Sequence, residues 1–352
     1  MEGEQNPPPA TRAGSASAVS GLQGAGKETA SPPSLDSGRG RTAEHPADIP
    51  PTGWWDVLVR IGKDLNRDNV SLIAAGLALY GLLSVFPALT ALVSLYSLFA
   101  DPAQLVKEIA SFGSLMPPGV WQLFQSQLQD MSNHGQASLT AAAAISVAVA
   151  LWSARSGMSS LMTATNVAYQ EREKRNFFVQ IGLSLLFTIA AVVGFVLMLT
   201  LTVGVPGALR VLDTALWVQI IADALRWLLL WGLAVLALAL IYRYAPSREP
   251  ARWRWITWGS ATAASLWLIG TVLFGFYVKT MASYQKTYGP LGDVVVLLMW
   301  FYLSSFLVVL GAEINSEAER QTVKDTTTGT RQPMGRRGAF SADTVGPGAS
   351  EK

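Results

Sequence analysis

Cysteine is absent from the 352 residues, and histidine occurs only as His45 and His134. Without thiols the chain forms no disulfide, no thiolate nucleophile and no thiolate metal site. Two distant histidines do not supply the clustered ligands of a zinc hydrolase, so no metal and no cofactor is expected. No G-x-S-x-G elbow or comparable serine signature appears. Gly21 to Glu28 approaches the phosphate-loop pattern G-x-x-x-x-G-K-[ST], but Glu28 stands where a hydroxyl would meet magnesium, and no strand precedes it. Charge itself is scarce: Asp, Glu, Lys and Arg make up 14% of the chain, against about 25% in soluble domains. The net charge of +2 is too small to point to nucleic acid. An enzyme is therefore the least expected reading.

What the chain has instead is apolar length. Half of its residues are hydrophobic, and they concentrate between Trp54 and about Glu319. The flanks, 1–53 and 321–352, are rich in Pro, Gly, Ser and Thr and are expected to be disordered, because they cannot bury enough apolar surface to offset ordering. Six apolar runs lie between them, at about 71–99, 139–165, 179–204, 222–244, 256–279 and 291–315. Each exceeds the roughly 18 residues that mark a membrane span. Backbone groups in lipid must be satisfied within the segment, so the runs are helices; the alternating ten-residue segments of a barrel are absent. The expected fold is all-α, a polytopic membrane bundle of six transmembrane helices with two disordered tails.

No charged stretch leading into a short apolar core opens the sequence, so the first span is expected to act as its own insertion signal. Orientation follows from the basic flanks. Twelve Lys and Arg residues, among them Arg60, Arg175, Arg248 and Arg320, fall on one side of the six runs, and four, Lys107, Arg210, Lys279 and Lys286, on the other. The bias puts both termini in the cytoplasm, with Trp54-Trp55 and Trp253 to Trp255 as interfacial anchors. On the outer side, 101–133 reads as an amphipathic hairpin split at Pro117-Pro118, able to lie on the membrane surface or cap a cavity.

Ionisable groups inside spans are costly and are functional candidates by default. Arg155 is the sharpest, alone among Ser153, Ser156 and Gly157, with 14 residues separating it from Tyr169 at the inner boundary. It is placed to bind an anionic headgroup, to pair with a carboxylate, or to snorkel inward. Asp293 follows Gly289, Pro290 and Gly292, whose composition suggests a broken helix beside a carboxylate, a device of transporters, or simply an acid at a helix N-terminus. Glu313, at the other end of that run, is expected to pair with the inner basic clusters. Pro87 should kink the first span, with Ser84 placed to satisfy a freed group. Ser153 and Gly157, four apart, suggest close helix packing.

Three blocks carry a family resemblance. The first is Ala74 to Tyr80 with Ser84-Val85-Phe86-Pro87. The second is Leu151 to Gly157 with Asn166, Ala168, Tyr169 and Glu171 to Arg175. The third is Tyr242-Arg243-Tyr244-Ala245-Pro246, Phe276-Tyr277, Tyr288 to Gly292, Trp300 and Gly311 to Asn315. Over roughly 54–320 the chain resembles the YihY/BrkB family of bacterial inner-membrane proteins, one of which carried the label ribonuclease BN. The resemblance implies six spans in the inner membrane, an envelope role linked to virulence, and export or flipping of lipid-like material. It implies membrane lipids and a lipid-like substrate as partners, and it is compatible with a homo-oligomer. The leading expectation is transport or flipping of an amphipathic envelope molecule, with Arg155, Ser84 and Asp293 at the site. The alternatives are a cation–proton exchanger titrating Asp293 or Glu313, and a scaffold that docks envelope-assembly proteins through its tails.

Overall fold

The computed structural model describes residues 37–96, 141–204, 216–280 and 290–349. The expected outer hairpin at 101–133 and Gly289 lie outside them. The described residues form helices α1 (Pro51–Arg67), α2 (Val70–Tyr96), α3 (Ala141–Ala168), α4 (Phe177–Leu199), α5 (Leu216–Tyr244), α6 (Trp253–Thr280), α7 (Pro290–Glu319) and the short α8 (Phe340–Asp343). Among them the only β-type pairing is one isolated bridge, Ala251 to Thr327. The all-α expectation holds.

Four stretches are long and apolar enough to cross a membrane: Phe177–Thr202, Trp217–Tyr244, Trp253–Val278 and Val294–Glu319. A fifth is added if α1 and the start of α2, bent by 64°, count as one broken span. Length and composition thus give four or five crossings against the six expected; α2 and α3 occupy the other two expected ranges. The α1–α2 bend falls at Asn69, whose φ of 50° is left-handed, a conformation Asn tolerates because its short side chain bonds locally. Helix α1 buries a mixed face: Asp56, Arg60 and Asp64 are buried beside Val57 and Ile61, while Trp55 and Leu58 are exposed.

Each long helix packs on its neighbour in sequence, and α7 closes the series by packing on α2 as well as on α6. The apolar core gathers where Val70, Leu77, Ala168, Tyr169, Tyr242, Ile256, Val309 and Ala312 meet, at the helix ends that carry the basic connections. Small residues let α6 and α7 cross closely: a Cβ added to Gly259 would strike the Gly311 carbonyl at 2.5 Å. The Asn315 side chain uses that proximity to accept the Gly259 amide at 2.9 Å.

The expected disorder of the flanks does not hold for 37–53 and 321–349, which fold onto the ends of α1 and α7. Gln321, Thr322, Thr326 and Ser341 are fully or almost fully buried. The Arg60 guanidinium donates to Glu317 Oε2 at 2.5 Å, Gln321 Oε1 at 2.8 Å and the Pro347 carbonyl at 3.0 Å. Gln321 in turn donates to the Arg39 carbonyl at 2.7 Å, and Thr322 to that of Ala43 at 2.7 Å. Asp56 accepts from Arg39 at 3.0 Å and from the Ala349 amide at 2.7 Å. Arg337 donates to the carbonyls of Val323, Lys324, Gln332 and Ala342. This polar clasp is ordered by matched donors and acceptors, a route that an argument from missing apolar surface overlooks. Burial alone would raise the Asp325 carboxyl, but the Gln332 amide, the Thr327 hydroxyl and amide and the Arg337 charge hold it below its ordinary 3.8.

A hydroxyl-lined arginine cleft

Helix α3 carries Ser, Thr and one arginine on a face that neither the core nor α4 fully covers. Beside α2 this face opens a cavity of about 420 Å³, lined by Tyr80, Trp152, Ser153, Arg155, Ser156, Ser159, Ser160 and Thr163. Arg155 is partly buried, and its guanidinium lies 4.3 Å from the centre of the Trp152 ring. One Nη donates to Ser184 Oγ on α4 at 3.5 Å, a long bond, and Nε is buried without a hydrogen-bond partner. Among the described residues no carboxylate pairs with Arg155. The expected carboxylate pairing is therefore not met among the described residues, where the cation lies in a polar cleft instead.

Ser84 does not line the cleft; it fastens its back wall. Its hydroxyl donates to the Tyr80 carbonyl at 2.6 Å, accepts the Gly157 amide at 3.1 Å and sits 3.3 Å from Ser156 Oγ. Helix α2 continues through Pro87, whose missing amide frees the Leu83 carbonyl. Ser84 does not satisfy that group, because a helical hydroxyl reaches the carbonyl four residues back, here Tyr80. Gly157 permits the contact: a Cβ there would stand 2.7 Å from Ser84 Oγ. The packing expected of Gly157 is thus present, whereas Ser153 is exposed to the cleft and donates to the Val149 carbonyl at 3.0 Å.

Helix α7 opens at Pro290, as a proline at the first helical position should. Gly292 is buried, and Asp293 falls in the first turn with its side chain outside the described residues. Glu313 departs from expectation. It is fully buried, and neither carboxylate oxygen has a hydrogen-bond partner among the described residues. The inner arginines go one and two turns further, Arg60 and Arg320 to Glu317 and Arg248 to Glu319 at 2.7 Å. Sequence spacing alone does not say which of three acids in one helix faces the basic loops.

The α3–α4 and α5–α6 connections are bolted together by the residues of the second and third sequence blocks. Asn166 accepts the Ser247 amide at 2.7 Å and Arg175 donates to the Ala245 carbonyl at 2.6 Å, while Tyr242 ties α5 to α7 by donating to the Val308 carbonyl at 2.7 Å. Burial pushes the Glu173 carboxyl up, but the Arg175 amide, the Asn166 side chain and the Arg175 charge outweigh it and hold it low. These residues therefore read as framework. The cleft residues that reading by charge passed over are Tyr80, Ser159, Ser160 and Thr163. Their signal is a hydroxyl recurring at 153, 156, 160 and 163 on one helical face. Among the described residues no three His, Asp or Glu side chains come together as a metal ligand set.

Comparison with known proteins gives the family of the chain. The model of the family described as Virulence factor BrkB matches residues 61–335. The ribonuclease-like protein YfkH of Bacillus subtilis is 31% identical over 247 residues, covering 69% of this chain and 88% of its own. A UPF0761 membrane protein of Idiomarina loihiensis is 24% identical over 74% of this chain and 90% of its own. Another, of Vibrio vulnificus, is 25% identical over 72% and 79%. No solved structure matches at a significant level. This membrane protein belongs to the BrkB family.

Proposed function

We propose that the chain is a six-span protein of the bacterial inner membrane, both termini cytoplasmic, that moves an amphipathic, lipid-like envelope molecule. On this reading α2 and α3 are spans together with α4 to α7, and the anionic group of the cargo is held at Arg155. One observation carries the reading: a cavity of about 420 Å³ whose single cation has an orphaned Nε, a tryptophan face and no carboxylate partner among the described residues. A membrane-embedded arginine without an acid is costly unless something anionic visits it. The chain acts without catalysis, and the ribonuclease-like name of the Bacillus relative is not extended to it.

The test is reconstitution into liposomes with acyl-labelled lipid and a membrane-impermeant quencher. Arg155→Gln should abolish translocation while leaving the amount of inserted protein unchanged. Wild-type rates in that variant would overturn the reading. A second reading, cation–proton exchange, has Glu313 in its favour, as a fully buried carboxyl with both oxygens unpartnered among the described residues. It requires cation-dependent proton flux in the same vesicles that Glu313→Gln removes; flux that persists in the variant rejects it.

A further inference from the structure

A serine or threonine hydroxyl offers one proton and two lone pairs, so where the proton goes decides what a hydroxyl-lined wall can recognise. Along the row at 153, 156, 160 and 163 the protons point back to the helix itself, that of Ser156 to the Ser153 carbonyl at 2.8 Å. Ser153 donates to the Val149 carbonyl at 3.0 Å, Ser160 to Ser156 at 3.0 Å and Thr163 to Ser159 at 3.1 Å. Such back-bonding is ordinary in membrane helices. Here four back-bonded hydroxyls share one cavity with a lone arginine, and their lone pairs are what they have left to offer. Ser153 to Thr163 covers roughly 15 Å of helix at about 1.5 Å per residue. Arg155, a donor without acceptors, stands near one end of that row.

Resting on the transport reading above, we propose that the cleft selects a phospholipid whose headgroup carries its own hydrogen-bond donors, a primary ammonium or a polyol, beside the phosphate. The phosphate meets Arg155, and the donor group meets the lone pairs of Ser153, Ser160 and Thr163. A quaternary ammonium headgroup has no N–H to give and leaves that row unmatched. The Trp152 face, 51% exposed, packs against the glycerol and upper acyl region.

The experiment compares acyl-labelled phosphatidylethanolamine with acyl-labelled phosphatidylcholine in the same proteoliposomes, with lipid retention in native mass spectrometry as a readout independent of movement. Phosphatidylethanolamine should be retained and translocated about tenfold better, the effect of one good hydrogen bond. The triple variant Ser153→Ala, Ser160→Ala, Thr163→Val should lower it to the phosphatidylcholine level. Alanine favours helix, and each single Ser→Ala variant should keep the wild-type melting temperature and lose part of the preference. Equal handling of both lipids by the wild-type protein, with both lost in Arg155→Gln, overturns headgroup selection while leaving transport standing. No translocation of either lipid by the wild-type protein overturns both. If soluble phosphoethanolamine displaces the retained lipid at equal concentration, the cleft binds free headgroups and the lipid assignment fails.

Discussion

The clasp and the cleft treat arginine in opposite ways. In the clasp, the side chains of Arg60 and Arg248 are buried and face Glu317 and Glu319 at 2.5 and 2.7 Å, with carbonyl oxygens accepting the remaining protons of Arg60. In the cleft, Arg155 has one long bond to a hydroxyl, an aromatic face and an orphaned nitrogen. A buried ion pair is rigid because removing either partner strands a charge. An arginine without a carboxylate keeps its binding capacity for a visitor. The contrast separates residues that hold the bundle together from residues that have something left to bind.

The most disruptive way to break this comparison is Glu317→Ala, which strands Arg60 and Arg320. It should cost roughly 3–5 kcal/mol, read as a large drop in thermal unfolding temperature in detergent. Its neighbour one turn back sharpens the point: Glu313→Gln, which removes a carboxyl with no partner among the described residues, should leave that temperature unchanged or raised. Next comes Gly157→Ala, which drives a methyl into Ser84 and should cost about 1–3 kcal/mol. Pairing it with Ser84→Ala should recover part of the loss in a double-mutant cycle of melting temperatures.

Acid offers a gentler probe of the clasp alone. Asp325 and Asp56 are both held below their ordinary 3.8 in the folded protein. For Asp56, the Ala349 amide and Arg39 outweigh the upward push of burial. A depressed folded value means that each carboxylate contributes stability above pH 3.8 and that this contribution fades as pH falls through the folded value. Hydrogen exchange in 321–349 should therefore accelerate below that pH before exchange in α5 and α6 does. The smallest expected change is in the stability of Arg155→Gln, within about 1 kcal/mol of wild type by chemical denaturation. A large destabilisation there would move Arg155 into the same class as Arg60.

The helices were legible because apolar run length is a direct consequence of bilayer thickness, and the boundaries of α3 and α6 follow it closely. Arg155 was legible for the same reason, as a charge in an apolar setting. The clasp was not. Its partners are polar, and Arg60 meets Glu317 across 257 residues, a separation that no local pattern reports. Nor does the sequence tell Glu313 from Glu317, since both are acids near the inner end of one helix and a single turn decides which meets the arginines. The cleft was half legible: the cation stood out, whereas the hydroxyl row needs the face of α3 turned away from the core to be known.

The clasp also has a consequence for how the chain is made. Arg60 is translated 257 residues before Glu317, and Asp56 waits 293 residues for the Ala349 amide. At roughly 5–20 residues per second, Arg60 stands without its partner for about 13–50 s while the later spans enter the bilayer. Only a product that extends through Glu317 closes that contact. A chain stopped before Glu317 leaves the Arg60 guanidinium without its carboxylate and Asp56 without the Ala349 amide.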